Sequence, residues 1–260
     1  MMPKLDASLV MLFNEVGMLD RFEYASAAGF RGIEIQMPYD YQPDQLGERL
    51  GSNDIECVLL NMPVGDLSAG DRGLACIPGR EIEFRESVKE ALIYAKALEC
   101  RLLNCLAGVP PLGFDVVEVH KTLVRNLQMA ADLCGEVDVG IVIEPLNTRD
   151  FPGVYLKHLK QSRSVIDEVG LTNVGLQYDV YHMQIMEGDL IRGIEEHIDV
   201  IRHIQIADNP GRHEPGTGEI NIQFILERLD ELAYDHWVGC EWIPSTTTEV
   251  SLKWAKKWLR

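Results

Sequence analysis

Short apolar blocks alternate with longer stretches of helical periodicity along nearly the whole chain. The blocks that read as buried strands are 7–12, 32–35, 55–60, 102–107, 140–143, 174–178, 201–206 and 237–240. Between them, residues 18–28 set Leu19, Phe22, Ala25 and Ala28 near one helical face, and Gly29 supplies a C-cap. Further helices are predicted over 43–50, 81–98, 115–133, 156–169, 183–198, 222–232 and 248–259. Acidic residues crowd the first turns of the helix at 81–98, as the helix dipole favours. Eight strand–helix steps in 260 residues predict a single (β/α)8 TIM barrel spanning 1–260. The competing architecture, an open doubly wound sheet, usually shows a glycine-rich phosphate loop after an early strand, and neither GxGxxG nor GxxxxGK[ST] occurs.

Four successive blocks carry a hard-metal ligand at or near their ends: Glu144, Asp179, Gln205 and Glu241, spaced by 35, 26 and 36 residues. One strand–helix–strand step takes about 30 residues. Strand ends of a parallel barrel converge on one face, so these four are expected to form one site. Three carboxylates within about 4 Å of each other repel by roughly 4 kcal/mol per pair at an effective dielectric near 20. Either protons or a cation must relieve that repulsion. An all-oxygen set suits Mg²⁺ or Mn²⁺ better than Zn²⁺. The blander alternative is four unrelated polar groups that happen to end strands.

Other side chains join this expectation. His182, three residues beyond Asp179, is placed to overhang the site as a donor to substrate, against the alternative of a structural histidine. His203, read as off the parity of Gln205, is expected to face the helix layer. The loop 209–219 is rich in Gly, Pro and charge. Its Arg212 suits a substrate carboxylate, His213 and Glu214 are also expected to bind substrate, and His213, Glu214 and Glu219 suit holding the loop over a metal; solvated surface charge is the alternative. The irregular stretch 63–80 follows a strand, so it is either a lid or packing decoration.

Composition narrows the partners. A formal charge of −17 repels phosphate backbones and anionic lipid, which argues against nucleic acid. No apolar run approaches the roughly 18 residues of a membrane span, and the N-terminus lacks a signal-peptide pattern, so the expected address is the cytoplasm. Six cysteines without a CxxC pair read as buried thiols in a reducing compartment. A homo-oligomer is compatible with these numbers but not specified by them.

The motifs Pro38-Tyr39-Asp40-Tyr41, Pro63-Val64-Gly65-Asp66, Ile77-Pro78-Gly79-Arg80-Glu81, Ile143-Glu144-Pro145-Leu146-Asn147, Gln177-Tyr178-Asp179-Val180-Tyr181-His182 and Gln205-Ile206-Ala207-Asp208-Asn209-Pro210 give the chain its character. With Glu214-Pro215-Gly216-Thr217-Gly218-Glu219 and Gly239-Cys240-Glu241, they make it resemble the hydroxypyruvate isomerase family of xylose-isomerase-like barrels, nearly end to end. The resemblance implies a metal held by Glu144, Asp179, Gln205 and Glu241. It also implies that Glu144 and Glu241 exchange a substrate proton, interconverting hydroxypyruvate and tartronate semialdehyde. Isomerisation of a 2-oxo-tetronate and ketose 3-epimerisation are close alternatives with the same site. A barrel-type DNA-repair nuclease would need a basic groove and more His ligands, and a non-catalytic sensor of sugar acids would not need two carboxylates flanking one metal. One departure stands out: the family often follows the last Glu with Tyr-Lys-Pro, whereas here it is followed by Trp242-Ile243-Pro244.

Overall fold

The apolar blocks become β1 (Lys4–Ser8), β2 (Gly32–Ile35), β3 (Glu56–Asn61), β4 (Leu102–Asn104), β5 (Gly140–Ile143), β6 (Val174–Asp179), β7 (Ile201–Ile206) and β8 (Trp237–Cys240). In the computed structural model, which describes residues 3–259, each strand pairs in parallel with the next and β8 closes onto β1. The helices are α1 (Arg21–Ala27), α2 (Pro43–Asn53), α3 (Glu81–Ala97), α4 (Val116–Gly135), α5 (Leu159–Val169), α6 (Val180–Met186), α7 (Leu190–His197), α8 (Ile222–Glu231) and α9 (Thr248–Ser251). The expected TIM barrel is therefore present.

Several boundaries depart from the sequence reading, each for a local reason. The first apolar block was expected at 7–12, but β1 ends at Ser8, whose carbonyl accepts from Met11 and Leu12 in a turn. Leu9 and Leu12 are still fully buried, so hydrophobicity there marked burial rather than extension. The single helix expected at 183–198 is two helices, parted where Gly188 and Asp189 take φ of 65° and 44°. The first of these starts early because Asp179 caps it, Oδ1 accepting from the backbone N–H of Tyr181 at 2.7 Å and of His182 at 3.3 Å. At the C-terminus, α9 is one turn long and gives way to a 3-10 helix at Lys253–Lys257.

The stretch 63–80 is partly packing. Leu74, Ala75, Cys76 and Ile77 are buried, Cys76 N–H donates to Ala107 O at 2.8 Å, and Asn126 Nδ2 donates to Ala75 O at 2.8 Å. Gly73 (φ 114°) lies so close to the β4 side that a Cβ there would stand 2.1 Å from Leu106 O. The exposed residues are the tip around the 3-10 helix Leu67–Ala69, capped by Asp66, and Gly79.

Two apolar clusters result among the described residues. The larger fills the layer between strands and helices, with Phe22, Phe30, Phe84 and Leu123 almost wholly buried, each burial contributing about 1.5–3 kcal/mol. The smaller consists of Val58, Leu59 and Val142, with Leu102 and Trp237 packed on it. Leu59, Leu102 and Val142 sit two residues before Asn61, Asn104 and Glu144, so the same strand faces turn from apolar to polar toward their C-terminal ends.

Candidate active site

Parity decides which side chains enter the barrel. Register pairs Gln177 with His203 and Asp179 with Gln205 across β6 and β7, and Gln205 and Asp6 each with Gly239 of β8. His203 and Gln205 are two residues apart and share a face, so the expectation that His203 points to the helix layer is corrected. Its Nε2 donates to Glu34 Oε2 at 2.8 Å and the side chain is fully buried. Gly239 leaves room for this meeting, since a Cβ there would stand 2.7 Å from Glu34 Oε2 and 3.0 Å from His203 Nε2.

The four residues expected to converge do so. Oxygens of Glu144 and Asp179 and a ring nitrogen of His182 lie within 4.8 Å of one another, all buried. Arg212 Nη2 donates to Asp179 Oδ2 at 2.9 Å and also to Glu241 Oε2. Gln177 Nε2 donates to Gln205 Oε1 at 2.6 Å, and Gln177 also hydrogen-bonds the Glu144 carboxylate. Gln205 Nε2 donates to Glu34 Oε1 at 2.8 Å, while Gln36 Nε2 donates to Glu34 Oε1 at 2.7 Å and to Glu241 Oε1 at 2.9 Å. Glu144, Gln205, Glu241 and Asp179 are thus linked by polar contacts around one mouth, at the C-terminal ends of β5 to β8.

The loop residues divide. Arg212 enters the mouth: Ile243 N–H donates to its carbonyl at 2.8 Å, and its guanidinium lies 5.1 Å from the Tyr181 ring centroid. Its φ of 54° is left-handed, a conformation costing a non-glycine residue about 1–2 kcal/mol. Asp208 holds the loop that imposes it, its carboxylate accepting from the backbone N–H of Asn209, Gly216, Gly218 and Ile220 at 2.8–2.9 Å. His213 and Glu214 do not enter. His213 Nδ1 bonds Ile243 O at 2.7 Å, Glu214 accepts from the Ser245 backbone and hydroxyl, and Glu219 accepts from Gln184 and Asn209. These three tie the loop down, the holding role expected of them, and the substrate contact also expected of His213 and Glu214 is replaced by these loop contacts.

Burial and crowding set the electrostatics. Burial pushes the Glu144 carboxyl up to about 8, with Asp179 adding and Asn104 opposing. Burial likewise holds Glu241 well above the ordinary range, with Arg212 opposing and Glu34, Asp179 and Glu144 adding. His182 is pushed down to about 4 by burial, so the ring is neutral at pH 7. Burial would lower the Arg212 guanidinium, but Glu241, Asp179 and Glu144 outweigh it and raise it.

The chemistry of the donors fits a divalent cation. Three carboxyls and an amide oxygen face one guanidinium, so ionising all three would leave negative charge for a cation to offset. Around the same carboxylates, Asn104 Oδ1, Gln177 Oε1 and Arg212 Nε are buried without partners among the described residues, as expected of a wall meant to meet a ligand. A cavity of about 970 Å³ opens at the other end of the barrel, between Glu56, Arg101, Leu102, Arg202 and Trp237. It lies at the strand starts, away from the carboxylate cluster, so it is not the candidate active site.

Sequence reasoning missed Glu34, Gln36, Asn104 and Gln177. The signal was available in polar residues at alternate positions of otherwise apolar strands.

A closed parallel barrel with buried carboxyls gathered at its C-terminal mouth has the form of a barrel enzyme, and comparison with known proteins is specific. Residues 22–260 match the family described as xylose isomerase-like TIM barrel, and the chain belongs to that family. It is 49% identical over 253 residues to the hydroxypyruvate isomerase of Escherichia coli (strain K12), covering 97% of this chain and 98% of that protein. It is 41% identical to the 2-oxo-tetronate isomerase of Cupriavidus necator, covering 99% of both. A crystal structure described as AP endonuclease, family 2, from Brucella melitensis superposes with a TM-score of 0.97 at 42% identity, covering 100% of both chains. The resemblance read from the motifs is borne out, and the chain is an isomerase. Among the described residues, no helix is long and apolar enough to cross a membrane.

Proposed function

We propose that the chain interconverts hydroxypyruvate and tartronate semialdehyde by moving a proton between adjacent carbons. The observation that carries this reading is the pair Glu144 and Glu241, two buried carboxyls with raised proton affinity on either side of Asp179 and Arg212. One carboxylate removes a proton from the hydroxymethyl carbon to give an enediolate, the hydroxyl proton passes from the hydroxymethyl oxygen to the former carbonyl oxygen, and the other carboxyl delivers a proton to the former carbonyl carbon. His182 presents Nε2–H toward a substrate oxygen, and Arg212, with Nε unpaired, meets the substrate carboxylate. Glu144, Asp179, Gln205 and Glu241 would hold a divalent cation, Mg²⁺ or Mn²⁺. Such an ion supplies Lewis acidity that acidifies the C–H beside the carbonyl.

The test is turnover of hydroxypyruvate beside longer 2-oxo acids with Mg²⁺ or Mn²⁺, in wild type and Glu241→Gln. Hydroxypyruvate should be preferred, and the variant should lose about 10²–10⁴-fold in kcat. Deuterium at the migrating position should wash out into solvent, whereas full intramolecular retention would replace proton transfer by a hydride shift.

A second reading, isomerisation of a 2-oxo-tetronate, is favoured by the 41% identity to the 2-oxo-tetronate isomerase of Cupriavidus necator. Ile243, 49% exposed beside the Arg212 loop, stands where the resemblance leads one to expect lysine. Preference for the four-carbon acid in the same assay would establish it.

A further inference from the structure

Beneath the mouth lies a second polar layer that the reaction does not use: Asp6 of β1, Glu34 of β2 and His203 of β7, all fully buried. Three donors converge on Glu34. Gln36 Nε2 and Gln205 Nε2 both reach Oε1, at 2.7 and 2.8 Å, and His203 Nε2 reaches Oε2 at 2.8 Å. Asp6 has no hydrogen-bond partner for either oxygen among the described residues, and burial beside Glu34 pushes its carboxyl well up, whereas three donors converge on Glu34.

We infer that Glu34 is a positioning residue that fixes which end of the Gln205 amide faces the active-site mouth and, through Gln36, where the Glu241 carboxylate stands. An amide can flip, and its two ends differ only in hydrogen bonding. A carboxylate offers acceptors alone, so the Gln205 atom against Glu34 must be the NH₂. The carbonyl oxygen is then directed to the side where Gln177, Glu144 and Asp179 meet. Gln36 is oriented by the same logic, since its Oε1 accepts from Ser8 Oγ at 3.1 Å and its NH₂ bridges Glu34 and Glu241. Without Glu34, only the Gln177 hydrogen bond is left to keep the Gln205 amide from presenting N–H where an oxygen ligand is required.

This inference rests on the reading that Gln205 and Glu241 help to hold a cation. The experiment is a double-mutant cycle read by Mn²⁺ titration with calorimetry and electron paramagnetic resonance, on wild type, Glu34→Met, Gln205→Glu and the double variant. Glu34→Met should weaken Mn²⁺ binding about 10–100-fold, as for other groups that orient a ligand. Gln205→Glu should recover most of that loss in the Glu34→Met background, because a carboxylate has no wrong end. In the wild-type background it should give no gain, because the new charge faces Glu34. A packing role alone would not produce this non-additivity. Equal effects of Gln205→Glu in both backgrounds, or an unchanged affinity in Glu34→Met, would overturn the positioning role. Absence of Mn²⁺ binding by wild type would instead overturn the reading of the site. If Glu34→Met does not fold, Glu34→Gln runs the same cycle with the same sign, since its amide can donate to the new carboxylate that Glu34 would repel.

Discussion

The imidazole of His182 stands with Nδ1 against Asn147, accepting from its backbone N–H at 3.2 Å and from its side-chain amide at 2.7 Å. The amide is held in that orientation because Asn147 Oδ1 accepts from the N–H groups of Arg149 and Asp150, at 3.0 and 2.8 Å. Two donors on Nδ1 leave the proton on Nε2, which faces Asp179 Oδ2 at 3.3 Å and Glu144 Oε1 at 3.9 Å. Asn147→Asp reverses this arrangement, since the new carboxylate accepts where the amide donated. Its His182 should titrate well above the wild-type value of about 4, read from the ring C2–H resonance, with activity falling about 10-fold or more.

Arg212 opposes the rise in proton affinity of both Glu144 and Glu241. Removing the guanidinium as Arg212→Met should therefore raise the carboxyls further. The ionised base then appears only at higher pH, so the acidic limb of the kcat/KM profile should move upward. The KM for an acidic substrate should rise as well. An acidic limb unmoved by the substitution would mean that Arg212 does not sense the catalytic charge.

Asp6 couples burial to stability. Its folded proton affinity lies above the unfolded value, through burial, Glu34 and Glu241, so the fold binds its proton more tightly than the open chain does. That contribution is complete below the unfolded value near 3.8 and is lost as pH rises toward the folded one. Asp6→Asn cannot ionise. The stability of the variant relative to wild type should therefore improve with pH, by about 1.4 kcal/mol per unit inside that window. Urea unfolding of both proteins at pH 4, 5.5 and 7 measures it, and a gap constant with pH would show that Asp6 ionises freely in the fold.

Asp208 holds its loop through four backbone N–H groups and thereby the strained Arg212. Asp208→Ala should cost about 3 kcal/mol, the scale of hydrogen bonds to a buried charge. Substrate KM should rise with it, because the guanidinium loses its fixed approach. A loss of stability without a change in KM would separate the loop's structural part from its role at the mouth.

Much of the molecule was legible in the amino-acid order. Strand spacing announced a barrel, and the positions of Glu144, Asp179, Gln205 and Glu241 at strand ends announced a shared mouth, because parallel strands bring such ends together wherever the helices lie between them. Chain breaks were less visible. The turn at Gly188 and Asp189 is one weak local signal inside a helical pattern, and the buried run past Ser8 looks like strand because burial is all that hydrophobicity reports.

The order of residues by itself determined the architecture, the family and the polar strand ends that meet at the mouth. Those depend on local periodicity and on which side chains carry hard oxygen donors. Only the folded barrel decided what each polar group meets. Arg212 falls between Asp179 and Glu241, His213 and Glu214 turn away to hold a loop, and His203 faces Glu34 on β2, 169 residues away in the chain. Hydrogen bonds reach only about 3 Å. Partners so distant along the chain are chosen by strand register and loop path, which no short window of sequence contains.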